Sequence, residues 1–181
     1  RVLLHYVYDA PEGKSTSFCD HAPLRISCYK AIARLLEARG ISPHDPVYAH
    51  FPLHSAAMHG NEALARYLLE KGFPVNERDS LGMTPLMKNN ENAAMTRLLL
   101  EQGADVNARS NEGYTALMQG MLRPQVARAL LDAGADPRAV NDDGETPLHH
   151  CMRADCAALL LAAGADATAR DENGLTPLDH A

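Results

Sequence analysis

Nine histidines and four cysteines are the residues of this chain best equipped for chemistry. His44, His50, His54 and His59 crowd one stretch, and His149, His150 and Cys151 lie close to Cys156. Imidazole and thiolate groups in such runs are the raw material of a zinc site or of a nucleophile and its base. The spacing completes neither. There is no Cys-x2-Cys pair, no His-Glu-x-x-His segment, and no serine in a Gly-x-Ser-x-Gly elbow. Gly13-Lys14-Ser15 follows an apolar segment, as the end of a phosphate-binding loop would. That loop also needs a glycine five residues before Gly13, so that backbone N–H groups can cradle phosphate, and Tyr8 stands there. The expectation is a chain with no catalytic residue, no cofactor and no functional metal site.

The elements that would have to position any site are set by a repeat. Thr84-Pro85-Leu86 returns as Thr115-Ala116-Leu117, Thr146-Pro147-Leu148 and Thr176-Pro177-Leu178, with Phe51-Pro52-Leu53 ahead of them, at spacings of 33, 31, 31 and 30 residues. Leu-Leu pairs followed by glycine keep step, from Leu68-Leu69 with Gly72 through Leu99-Leu100 with Gly103 and Leu130-Leu131 with Gly134 to Leu160-Leu161 with Gly164. Two markers in one phase predict a stacked solenoid in which each unit buries its faces against its neighbours. Thr before Pro suits a helix start, which makes Thr84, Thr146 and Thr176 predicted N-caps whose hydroxyls accept a free N–H. The glycine after each Leu pair suits a left-handed helix end, and Gly82, Gly113, Gly144 and Gly174 suit tight turns.

At Asp79-Ser80-Leu81-Gly82-Met83-Thr84-Pro85-Leu86 and Gly103-Ala104-Asp105-Val106-Asn107-Ala108 the chain resembles ankyrin repeats. The resemblance runs from about residue 48 to the end. It implies an all-α repeat solenoid of helix–turn–helix units, each followed by a projecting β-turn finger, used as a protein-binding surface. It also assigns His54 and His149, at the fourth position of the Thr-Pro-Leu-His pattern, a structural hydrogen bond between neighbouring loops. The predicted units are about 48–80, 81–111, 112–142 and 143–172, with a partial one at 173–181, where the sequence stops within a first helix. Residues 1–47 form a divergent segment, in which Ala22-Pro23-Leu24 to Leu35-Leu36-Glu37-Ala38-Arg39-Gly40 reads as a degenerate capping unit. Before it, Val2 to Tyr8 is open to strand or helix.

The repeats here are shorter than the family's usual 33 residues. The distance from the glycine after the Leu pair to the next motif leucine is 14 in every case, whereas that from motif leucine to Leu pair falls from 15 to 13, 13 and 12. The fingers are held constant and the helix pair is trimmed, by about half a turn at 3.6 residues per turn.

Stacking aligns equivalent positions into ladders, and those the fold does not need are free to carry specificity. The predicted finger tips are Ser80, Leu81 and Met83; Asn111, Glu112 and Tyr114; Asp142, Asp143 and Glu145; Glu172, Asn173 and Leu175. The residue after the four-residue motif forms a second ladder on the concave face, Ser55, Lys88, Gln119, His150 and His180. Leu81, Met83 and Tyr114 stand out as apolar residues on exposed fingers, with the acidic fingers at Asn141-Asp142-Asp143-Gly144-Glu145 and Asp171-Glu172 as a charged flank suited to a basic partner.

Composition agrees. The net charge is −6, which disfavours nucleic acid as the partner, and no run of eighteen apolar residues offers a membrane span. Cys19 and Cys28 are open to a bridge or to free thiols, while Cys151 and Cys156 read as free buried thiols. The expected function is binding of another protein through the concave face and finger tips, by a monomer, as adaptor, effector, or inhibitor such as an immunity protein. The alternative is the targeting arm of a larger enzyme whose catalytic domain lies outside this sequence. A cytoplasmic location is expected, and an exported or periplasmic one would accompany a Cys19–Cys28 bridge.

Overall fold

The computed structural model describes residues 52–89, 91–119 and 123–180. The expectations for residues 1–47, including the capping unit and the Cys19 and Cys28 alternatives, lie outside the described residues, as do those for His50 and Phe51.

Helix pairs follow one another in chain order. The first is α1 (Pro52–Met58) and α2 (Glu62–Glu70), the second α3 (Pro85–Lys88) and α4 (Ala93–Glu101). In the third, a 3₁₀ turn at Ala116–Met118 precedes α5 (Pro124–Asp132); in the fourth, a turn at 147–150 precedes α6 (Ala154–Ala162). A last turn at 177–180 opens another unit, and no strand occurs among the described residues. The trimming therefore falls on the first helix alone. It shrinks from 7 residues to 4 to a 3-residue 3₁₀ turn, while all four second helices keep 9.

Local chemistry explains the constancy of the second helix. The Asn61 side chain accepts the Leu64 N–H, and Asn92 accepts those of Ala94 and Met95, so two of the starts are capped; α5 begins on Pro124, whose missing N–H costs nothing there. The ends share one geometry. After α2 the Phe73 N–H reaches the Leu68 carbonyl and Gly72 takes φ of 84°, a left-handed residue that closes the helix, and the same bond recurs as Ala104 to Leu99, Ala135 to Leu130 and Ala165 to Leu160. Between them the apolar face is fixed. Leu68, Leu99, Leu130 and Leu160 are buried, each contributing about 1.5–3 kcal/mol of burial energy, while the second leucine of each pair lies nearer solvent. Second helices pack in series, α2 on α4, α4 on α5 and α5 on α6, and α1 packs on α3.

The predicted threonine caps form differently. The Thr84 hydroxyl is buried without a hydrogen-bond partner, and its N–H meets Met87 Sδ at 3.4 Å. The bond runs in the opposite sense, from the threonine N–H to a side chain three residues on: His149 Nδ1 at 3.0 Å for Thr146 and Asp179 Oδ2 at 2.7 Å for Thr176. A first helix cut to a single turn has few N–H groups for a hydroxyl to cap, so the third side chain satisfies the entering N–H instead. Cys156 is buried as expected, whereas Cys151 is only half-buried.

Candidate functional site

Each finger is a closed hydrogen-bonded unit built on its first polar residue. Asp79 Oδ1 accepts the N–H groups of Leu81 and Met83, both at 2.9 Å, while the Asp79 N–H donates to the Met83 carbonyl. Ser110, Asn141 and Asp171 repeat the device around Tyr114, Glu145 and Leu175. Successive fingers are also tied backbone to backbone, Asn111 N–H to Leu81 carbonyl at 2.9 Å, Asp142 to Glu112 at 3.1 Å and Glu172 to Asp143 at 2.9 Å. The histidines of the motif add a third tie. His54 Nε2 bonds the Met83 carbonyl at 2.8 Å, and His149 Nε2 that of Leu175 at 3.3 Å, each crossing to the next finger.

A second relationship links each finger to the first helix that follows it. Lys88 Nζ lies 2.9 Å from Asp79 Oδ2, and His180 Nε2 lies 3.0 Å from Asp171 Oδ2. The fourth repeat has Asn141 at the carboxylate position, and the pairing shifts: Asn141 Nδ2 donates to Glu145 Oε2 at 2.7 Å, and that oxygen lies 3.0 Å from His150 Nε2. Burial lowers the pKa of His150 despite the attraction of Glu145. Asp79 is held below the ordinary carboxylate value: burial opposes this, but the bonds from Lys88 and from the Met83 and Leu81 N–H groups outweigh it.

The family model described as ankyrin repeats (3 copies) matches residues 24–110 and 119–181. The chain belongs to the ankyrin repeat family. Ankyrin repeats are generally protein–protein interaction modules. A comparison with curated proteins gives no match.

The ankyrin fingers place the predicted site residues in two groups. Ser80, Leu81, Asn111, Glu112, Asp142, Asp143, Glu172, Asn173 and Leu175 are exposed, and Leu81 keeps 58% of its surface in solvent. The other six turn inward. Tyr114 is half-buried rather than exposed, its ring 5.2 Å from that of His150, and burial, with Glu145 nearby, raises its phenol pKa. Met83 is half-buried with its Sδ 3.3 Å from Lys88 Nζ, and Lys88, Gln119, Glu145 and His150 are half-buried as well. Glu145 is thus no rim charge. The residue before the threonine closes the finger through its N–H and carbonyl, which aims its side chain across the repeat instead of away from it.

Sequence reasoning passed over Asp79, Asn141 and Asp171, which anchor the fingers and face the second ladder. The signal was present as a nine-residue spacing, Asp79 to Lys88, Asn141 to His150 and Asp171 to His180.

Proposed function

We propose that this ankyrin array is a binding module for another protein, held across the finger tips and the adjoining ladder, in the role of an adaptor, effector or inhibitor. The observation that carries the reading is Leu81: a leucine 58% exposed at a finger tip whose N–H is held by Asp79 and whose carbonyl accepts the Asn111 N–H. A large apolar side chain on a locked backbone loses little entropy on binding, and the fold does not need it exposed. Acidic tips follow along the array at Glu112, Asp142, Asp143 and Glu172, with Asp142 partly countered by Arg109 at 3.4 Å. The chemistry fits a partner with an apolar anchor point and a basic flank.

The test begins with affinity capture from the source organism, followed by binding of the purified partner to variants. Leu81→Ser and Tyr114→Ala each weaken binding by about tenfold or more with the fold intact, as central anchors do. Asp142→Asn with Asp143→Asn acts mainly on the association rate at low salt. Unchanged affinity in both apolar variants overturns the finger-tip assignment.

A further inference from the structure

At the junction of the fourth and fifth repeats, two imidazoles and two carboxylates converge. Donor atoms of Glu145, Asp171 and His180 all lie within 4.8 Å of one another. His150 Nε2 stands 3.0 Å from Glu145 Oε2, as His180 Nε2 stands 3.0 Å from Asp171 Oδ2. Both carboxylates are oriented by the fingers that carry them. Asp171 Oδ1 is occupied by the N–H groups of Asn173 at 2.9 Å and Leu175 at 2.8 Å, which leaves Oδ2 toward His180, and the side chain is only 2% exposed. Glu145 is steadied by Asn141. Such outer hydrogen bonds are what fix a ligating carboxylate.

Two features distinguish this cluster from a structural ion pair. In the second repeat the same ladder position supplies a built-in cation, Lys88 against Asp79. Here no Lys or Arg among the described residues pairs with Glu145 or Asp171, and the ladder offers imidazoles, which are lone-pair donors to transition metals. Independently, His150 Nε2 is buried from solvent against Glu145 Oε2, at 3.0 Å, without a hydrogen bond of good geometry. A buried ring nitrogen left so is costly unless another group takes its lone pair.

We propose that Glu145, Asp171 and His180, joined by His150, form a binding site for a divalent transition-metal cation of the Zn2+ class that ties the fourth repeat to the fifth. Each 3.0 Å N···O separation is close to the edge of a zinc tetrahedron, about 3.3 Å for bonds of roughly 2.0–2.1 Å. The three donor atoms, within 4.8 Å of one another, draw in toward that edge when the ion binds. A mixed imidazole and carboxylate set without thiolate suits zinc or cobalt over copper(I), and its nitrogen donors disfavour magnesium and calcium. No ligand motif marks the site in the sequence, because these four residues span Glu145 to His180 across two fingers.

The experiment titrates the metal-stripped chain with zinc chloride by calorimetry and with Co2+ by visible absorption. One Zn2+ binds per chain, and Co2+ gives the d–d absorption of a tetrahedral site. Glu145→Gln and His180→Ala each weaken Zn2+ binding at least tenfold, while His59→Ala, outside the cluster, leaves it unchanged. Asp171→Asn, which keeps the finger's Oδ1 acceptor and removes the ligand charge, replaces His180→Ala if that variant does not fold. No Zn2+ binding, or unchanged affinity in Glu145→Gln or in the His180 or Asp171 variant, overturns the proposal.

Discussion

Asp79 serves its finger and its helix with different oxygens: Oδ1 accepts the Leu81 and Met83 N–H groups at 2.9 Å, and Oδ2 meets Lys88 Nζ at 2.9 Å. The two roles separate by substitution. Asp79→Asn keeps an acceptor for the finger and loses the ion pair, whose side chains are 25% and 12% exposed, and costs about 1 kcal/mol or less after solvent screening. Asp79→Ala leaves two finger N–H groups without their acceptor and costs about 1–3 kcal/mol. Urea unfolding of the two variants measures the difference, and equal losses would show that the finger bonds carry no stability.

Leu130 and Leu161 are members of equivalent Leu pairs, but Leu130 is 1% exposed between α4 and α6 and Leu161 is 46% exposed on α6. Leu130→Ala leaves a cavity and costs about 2–5 kcal/mol. Leu161→Ala costs about 0.5 kcal/mol or less, as surface substitutions do. Thermal or chemical unfolding of the pair tests the register of the repeat, which fails if Leu130→Ala costs under about 1 kcal/mol.

The helix pairs and their buried leucines were legible because two markers fixed both period and phase, and the constant 14-residue finger spacing marked the invariant part. Which helix was trimmed was not legible: the distance from Leu148 to Leu160 counts residues without saying which turn they leave. The site was half legible. Exposure at Leu81 or Asp143 follows from a finger's tip, but Tyr114, Glu145 and His150 turn toward one another across neighbouring repeats, and no local pattern records that contact. Asn141 shows the same limit. It reads as a turn residue, yet its amide also steers Glu145.

His54 adds a pH dependence. Burial lowers its pKa from 6.5, against the Met83 carbonyl bond and the charges of Asp79 and Glu77, which raise it, while Lys88 works with burial. Between the folded and unfolded values the unfolded chain binds more protons, so stability rises with pH there. The His54 contribution is fully present above about 6.5 and is lost as pH falls toward the lowered folded value. His54→Gln removes this share, and unfolding free energies from pH 8 to pH 5 should fall less steeply in the variant than in the parent, as about 1.4 kcal/mol accompanies each pKa unit. Parallel curves would assign the acid sensitivity elsewhere.

The finger glycines test how far the fingers depend on one another. Gly113 and Gly174 adopt nearly the same left-handed backbone, φ 79° and 77°. Their surroundings differ: a Cβ on Gly113 would lie 2.6 Å from Asp142 Oδ1, in the next finger, whereas a Cβ on Gly174 meets nothing within 4 Å. Both Gly→Ala changes therefore carry the same backbone strain, about 1 kcal/mol or more, and only Gly113→Ala also pushes against its neighbour. Asp142 can yield by rotating its side chain, but its N–H is tied to the Glu112 carbonyl at 3.1 Å and its backbone cannot follow freely. The predicted result is a larger loss of unfolding free energy for Gly113→Ala, with faster amide exchange at Asp142, while Gly174→Ala affects its own finger alone. Equal losses with unchanged exchange at Asp142 would mean that each finger folds as a separate turn, and that the bonds between fingers do not hold the tips as one surface.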